Sequence, residues 1–276
     1  MKLNLNRSVF SLYKSDLQLC PLNLVVCELL GSDAIGYGEA FSFKLAKMKA
    51  YAEALEREAW KSSGMKSTNG FAAGPTPSIA YLHARNEAIE RQLLLRAWSE
   101  MDGMFTFRPH LSVRALFLIA WLKLHQYSGR FSRINNNVTS FGLYGRLLCP
   151  DGGSYFDGVY AERIQDAHVE KLIASLIRMA VVYLHENAIQ IENLSRTAKP
   201  REHVLLFKNP AVQSAFDWVK QSSQRSFRIS EPQTSTFPHA VDHKWSIGTA
   251  VIDNAIELRW GQDSLFGRNP YPHPLG

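Results

Sequence analysis

The 276-residue sequence predicts a fold of the α/β or α+β class, a mixed sheet with packed helices in one compact domain. Three observations lead there. Leu22 to Leu30 is an apolar run of strand length that ends in Gly31-Ser32-Asp33. Ser42 to Trp60 places Leu45, Met48, Ala52 and Leu55 on one side of a helical pattern. Strand-like and helix-like stretches then alternate along the chain without strict βαβ spacing.

In chain order, Gly36-Tyr37-Gly38 reads as a tight glycine turn between the first strand and the first helix. Lys61 to Pro77, rich in Ser, Asn, Gly and Pro, reads as a loop. Thr76 or Ser78 can cap a second helix with Pro77 in its first turn, and Asp102-Gly103 stops that helix after about Glu100. Arg114 to His125 reads as helix, Asn135-Asn136-Asn137 as a turn and Ser140 to Leu148 as a strand, followed by a loop at Pro150-Asp151-Gly152-Gly153. Glu162 to Leu184 is a long helical pattern. Val204 to Phe207 reads as a strand, Pro210 to Lys220 as a helix, and the stretches near Trp245 to Val251 and Ala255 to Trp260 as two more strands. No linker composition marks a boundary, so residues 1–260 are expected to form one domain and the Gly/Pro-rich 261–276 a tail over its surface.

Composition narrows the function classes. With 46% hydrophobic and 20% charged residues the chain is globular rather than disordered. A net charge of +6 suits an anionic ligand or partner. The basic residues form no long stripe interleaved with aromatics, so nucleic-acid binding rests on net charge alone. Phe131, Phe141, Tyr144 and Phe156 read as core rather than as a stacking platform. Cys20, Cys27 and Cys149 are scattered and match reduced thiols, not a disulfide framework or a zinc knuckle. Residues 1–7 carry no secretory pattern. The apolar run Ala115 to Leu122 is too short to span a bilayer, and Leu172 to Leu184 is broken by Arg178. A soluble cytoplasmic protein without a membrane partner is therefore expected.

The most informative pattern is a repeated acidic segment. Glu53-Ala54-Leu55-Glu56-Arg57 returns as Glu87-Ala88-Ile89-Glu90-Arg91, 87 − 53 = 34 residues later. On a helix the two carboxylates and the arginine of each copy share a face. Two such faces together would hold four carboxylates and two guanidiniums, a donor set suited to a magnesium-bound polyphosphate. A spacing of 34 is also that of tetratricopeptide pairs, but the third copy due near Trp121 is absent. Two solvated helices with ordinary ion pairs are the other reading of these residues. Context favours a site, because a glycine-bearing stretch precedes each copy: Gly36-Tyr37-Gly38 before the first, and Gly70-Phe71-Ala72-Ala73-Gly74 with a helix start before the second, where free amides could meet a phosphate.

With these motifs the chain resembles the YcaO family. Members carry a Gly-x-Gly turn and a helix ending in Glu-x-x-Glu-Arg, as Gly36, Gly38 and Glu53 to Arg57 do here. They also carry a Ser-x-Gly-x-Ala-x-Gly type loop before a second such helix, which Thr68 to Gly74 and Glu87 to Arg91 resemble. Gly152-Gly153 followed by Glu170 resembles a third element, and Pro270-Tyr271-Pro272-His273-Pro274 the Pro-x-Pro-x-Pro ending of azoline-forming members. The resemblance covers about residues 36 to 100, a stretch over 150 to 185, and the tail. The two acidic helices are closer in sequence than in family members, so the chain looks like a shortened form, and Leu275-Gly276 extends past the last proline.

The resemblance implies a single YcaO-like ATP-binding domain over 1–260. It implies ATP-dependent activation of a peptide backbone amide, with a Cys, Ser or Thr of a ribosomally made precursor closing to an azoline. Glu53, Glu56, Glu87 and Glu90 would ligate Mg²⁺. Arg57 and Arg91 would meet phosphates, with Arg91 also catalytic, Glu170 would add a ligand or fix the ribose, and Gly36 and Gly38 would let backbone approach the nucleotide. The Gly276 carboxylate would act as a general base. A separate leader-peptide-binding partner and a flavin dehydrogenase are the implied protein partners. A thioamide-forming homologue with a sulfur-delivery partner, a non-catalytic scaffold subunit and a ribosome-associated factor are the alternatives. His239 and His243 have the spacing of a helical zinc pair, but Pro238 and strand-like flanks favour a loop. The sequence has neither a Gly-x-Ser-x-Gly elbow nor a P-loop.

Overall fold

A computed structural model describes residues 8–12, 20–63, 69–137, 140–188, 190, 200–220, 225–240, 242–256, 269, 271 and 273–274. The elements in order are β1 (Ser8–Leu12), β2 (Asn23–Leu29), β3 (Ile35–Ala40), α1 (Phe43–Ser63), β4 (Phe71–Gly74), α2 (Pro77–Glu100), β5 (Met104–Thr106), α3 (Val113–Leu124), β6 (Ser128–Asn135), β7 (Phe141–Leu148), β8 (Ser154–Ala161), α4 (Asp166–Val182), α5 (Pro200–Phe207), a 3₁₀ helix (Pro210–Phe216), β9 (Gln233–Pro238) and β10 (Ser246–Val251). All strand pairings within the three sheets are antiparallel, so the class is α+β. Two compact units divide the chain, Met1–Ile89 with Ser230–Ala255 and Glu90–Ile229 with Ile256–Gly276. The division falls inside the continuous helix α2, which is why no linker composition marks it.

The first unit contains the sheet β1-β2-β3, the sheet β4-β10-β9 and helix α1. Gly36 and Gly38 do not form a turn; they lie within β3, paired with Cys27 and Val25 of β2. The reason is α1, which crosses β3 so closely that a Cβ on Gly36 would lie 2.1 Å from the Ala50 carbonyl oxygen, and one on Gly38 2.1 Å from that of Ala46. Only glycine permits that approach. Beneath this contact Cys27, Ala46, Ala50, Ala54, Leu55, Phe71, Trp245 and Ile247 form the core. The stretch read as a loop from Lys61 to Pro77 gives its first three residues to α1 and Phe71–Gly74 to β4, whose four residues are all buried. Thr76 caps α2, its Oγ1 accepting from the Ile79 amide at 3.3 Å.

The second unit is the sheet β5-β6-β7-β8 with α3, α4 and α5. Helix α4 lies on this sheet where Gly145 leaves room for Leu172 and Leu176. Tyr144 and Phe156 are buried as expected, while Phe131 and Phe141 are half-buried. Trp98 is fully buried, with Phe207, Phe216 and Trp218 edge-on at 5.3 to 5.9 Å. Val204 to Phe207 is the end of helix α5, not a strand; a short apolar run has the same composition in a buried helix as in a buried strand. The helix expected from Pro210 to Lys220 is a 3₁₀ segment ending at Phe216. The strand expected at Ala255 to Trp260 lies mostly outside the described residues.

The described residues of the tail are seated in this unit rather than over its surface. The Trp98 indole donates to the Tyr271 carbonyl at 3.0 Å, His203 Nδ1 lies 3.0 Å from the His273 carbonyl oxygen, and Asn269 and His273 are buried. No helix among the described residues is long and apolar enough to cross a membrane.

Candidate functional site

In the first unit, α1 presents Glu53, Glu56 and Arg57, and the first part of α2 presents Glu87. Glu53 is committed to β3: its Oε2 accepts from the Tyr37 amide at 2.7 Å and its Oε1 pairs with Arg57 Nη2 at 2.5 Å. Arg57 in turn donates from Nη1 to the Ile35 carbonyl at 2.7 Å and lies over the Tyr37 ring. These two residues clamp α1 to the strand that Gly36 and Gly38 allow it to approach. Glu56 is in a different state. Withdrawal of its carboxyl group from water, then the charges of Glu87 and Glu53, raise its pKa well above the ordinary carboxylate range; Arg57 and a backbone hydrogen bond with Ala73 of β4 oppose the rise.

In the second unit, Glu90 is 7% exposed and its Oε1 has no hydrogen-bond partner among the described residues. It sits against β8, where a Cβ on Gly158 would lie 2.7 Å from that oxygen. Burial raises its pKa to about 7, against the pull of Arg91 and with a smaller upward contribution from Asp157. The Tyr144 hydroxyl donates to the Glu90 carbonyl at 2.8 Å, and its own pKa is raised by burial and then by Glu90. Sequence reasoning missed Asp157, whose Oδ2 accepts from Ser175 and whose Oδ1 accepts from the Gly158 amide at 2.8 Å. The one available signal was the isolated glycine beside it. Glu170 accepts from Ser112 Oγ at 2.5 Å, and Ser112 caps α3 by accepting from the Ala115 amide at 3.1 Å. Glu170 thus ties α4 to the start of α3.

The structure superposes on a chain of the E. coli microcin synthetase McbBCD complex with a TM-score of 0.60, at 8% identity, over 89% of this chain and 86% of that one. It superposes on the YcaO protein of Methanopyrus kandleri, solved with AMPPCP and Mg²⁺, with a TM-score of 0.58 at 11% identity, over 94% and 89% of the two chains. This chain has a YcaO-like fold. A heterocyclase solved in complex with substrate and cofactor gives a TM-score of 0.61 at 10% identity, covering 95% of this chain and 51% of that one. No protein-family model and no curated protein matches the sequence.

Within this YcaO-like fold, the glutamates of the repeated motif are divided between the two units. Glu53, Glu56 and Glu87 belong to the first and Glu90 to the second. No three His, Cys, Asp or Glu side chains among the described residues converge closely enough to hold a metal ion. The donor chemistry within each unit nevertheless fits a hard divalent cation: in the first, Glu56 is disfavoured as an anion by its withdrawal from water and then by the charges of Glu87 and Glu53, and in the second, Glu90 keeps an orphaned buried oxygen. Gly36 and Gly38 face α1 with the space a side chain would use, so the close approach they permit is that of a helix. Gly276 lies outside the described residues. The His239 and His243 pair does not form a zinc site. His239 is fully buried, with Nε2 at 3.1 Å from both the Leu55 carbonyl and Glu58, and Nδ1 accepting from the Asp242 amide at 3.1 Å. With both ring nitrogens occupied, it holds the Asp242 turn against α1.

Proposed function

We propose that this chain uses ATP and Mg²⁺ to activate a backbone amide of a peptide, forming azolines from Cys, Ser or Thr in a ribosomally synthesised precursor. The observation that carries the reading is Glu56, a carboxyl group withdrawn from water with the charges of Glu87 and Glu53 against its ionisation, in a YcaO-like fold. The likeness to a YcaO protein solved with AMPPCP and Mg²⁺, and to a heterocyclase solved with substrate and cofactor, supports the same chemistry. ATP supplies the phosphoryl group that turns the amide oxygen into a leaving group; the protein positions and neutralises charge. Glu56 and Glu87 hold the cation in the first unit, with Glu53 orienting Arg57 beside them. Glu90 offers its orphaned oxygen in the second unit, and Arg91 meets phosphate. The peptide arrives with a separate leader-binding partner protein, in a soluble cytoplasmic setting, and a flavin dehydrogenase can act on the product.

The test is peptide-dependent ATP turnover by the purified chain with Mg²⁺, its partner and the precursor. Glu87→Gln should abolish turnover while leaving the thermal transition in place; full activity would overturn the magnesium assignment. One observation favours a second reading, a non-catalytic scaffold subunit: Glu53 and Arg57 already satisfy each other and β3. Calorimetric titration with ATP and Mg²⁺ separates the two, since a scaffold would give no heat of binding.

A further inference from the structure

Strand β9 is the edge of the sheet β4-β10-β9 and pairs on one side only among the described residues. Which backbone groups face outward follows from two hydrogen bonds. The His239 amide donates to Trp245 on the β10 side, and the Ala250 amide of β10 donates to Gly70, away from β9. Backbone groups alternate in direction along an antiparallel strand. Gln233, Ser235 and Phe237 therefore bond to β10, whereas Thr234, Thr236 and Pro238 face the open edge. That edge offers the amides of Thr234 and Thr236 and the carbonyls of all three. Proline, which has no amide, occupies an outward position, where an edge strand tolerates it.

Edge strands of folded proteins are commonly blunted by charged side chains, bulges or extreme shortness. Gln233-Thr234-Ser235-Thr236-Phe237-Pro238 has no charged residue, runs for six residues in unbroken register with β10, and is exposed at five of its six positions. Phe237 is 42% exposed and supplies an apolar surface beside the edge. The same sheet reaches the candidate site, because β4, at its other side, carries the Ala73 backbone that bonds Glu56.

We infer that the open edge of β9 binds an extended, uncharged segment of the peptide substrate as a fourth strand of this sheet. The inference rests on the proposed action on peptides and adds where such a peptide is held. Main-chain pairing at Thr234 and Thr236 supplies register without reading side chains, and the absence of charge on β9 selects a neutral segment. With strands about 4.8 Å apart, the added strand lies roughly 14 Å from β4. The segment on β9 is therefore not the reacting one. At up to about 3.5 Å per residue, the residue to be modified lies at least four positions along the chain from the segment held on the edge.

The probe is a capped, uncharged ten-residue peptide of Ser, Thr, Cys and Gly, alongside a copy N-methylated at alternate residues. Amide hydrogen exchange at Thr234 and Thr236 should be fast in the free protein and slow at least tenfold with the first peptide but not with the methylated one. Thr236→Pro, which removes an outward amide and no bond to β10, should weaken binding about tenfold, while Thr236→Ala should leave it unchanged. Unprotected amides at saturating peptide would overturn the inference, and so would protection that grows with protein concentration alone, since β9 would then pair with a second copy. Peptide-dependent ATP turnover without protection at Thr234 and Thr236 would remove the edge site and keep the proposed activity. Protection without ATP binding or turnover would remove the activity and keep the edge site.

Discussion

Replacing Glu90 with glutamine should change how stability depends on pH in a way that can be worked out from its surroundings. The ordinary glutamate value is 4.5 and burial against β8 raises it to about 7. The folded state therefore binds the proton more tightly than the unfolded state. Its contribution to stability is fully present below pH 4.5, declines as pH rises, and is lost once the pH passes about 7. Each pH unit between the two values is worth ~1.4 kcal/mol, so the loss is on the order of 3 kcal/mol. For a chain of this size that is roughly 5–10 °C in the thermal midpoint. Glutamine keeps the shape and cannot ionise, so Glu90→Gln should remove this component. The assay is the thermal midpoint of both proteins at pH 5 and pH 8 without nucleotide or divalent cations. Comparing the change in each protein cancels the other titrating groups. The wild type should lose several degrees more than the variant between the two pH values. If both fall in parallel, Glu90 is ionised throughout, and the account of its orphaned oxygen is refuted.

Further outcomes follow from other parts of the structure. Gly36→Ala would place a methyl 2.1 Å from the Ala50 carbonyl oxygen, so it should destabilise the protein by at least about 2–3 kcal/mol or prevent folding, read by chemical denaturation. Ser112→Ala removes the cap of α3 and the donor to Glu170, at a cost of about 1–2 kcal/mol by the same measurement. Burial lowers the pKa of His203 to about 4 from 6.5, so stability present above pH 6.5 should fade as pH drops towards 4. Because His203 meets the His273 carbonyl near Trp98, indole fluorescence in acid should report release of the tail, and His203→Phe should flatten that acid dependence.

Much of the framework was legible in the sequence because its longest elements carry strong periodicity and clear stops. Helices α1, α2, α3 and α4 and strands β2, β7 and β10 lie where apolar spacing, Thr76-Pro77 and Asp102-Gly103 placed them. What was illegible depends on partners distant in the chain. Gly36 and Gly38 looked like a turn because sequence cannot show a helix pressed on a strand. Val204 to Phe207 looked like a strand because burial on all sides erases period. The tail looked like surface because the bonds that seat it come from Trp98 and His203, some 173 and 70 residues away. For the site, the repeated motif pointed to Glu56 and Glu90, whose environments stand out in the structure. It could not show that Glu53 and Arg57 also brace β3, or that Asp157 lies beside Gly158.

The crossing of α1 over β3 has one further consequence. Gly36 meets Ala50 and Ala54, and Gly38 meets Ala46 and Ala50, so two steps along the strand match four along the helix. Two strand residues span about 6.7 Å and four helix residues about 6 Å. The two repeats are nearly commensurate, and the contact works as a ratchet with one tooth per helical turn. Sliding α1 by a single residue would bring Lys47 and Tyr51 to the glycines, and neither fits. Two glycines and three alanines thereby set the rotational phase of the helix. With it they set the direction in which Glu56 points, although none of the five carries a functional group.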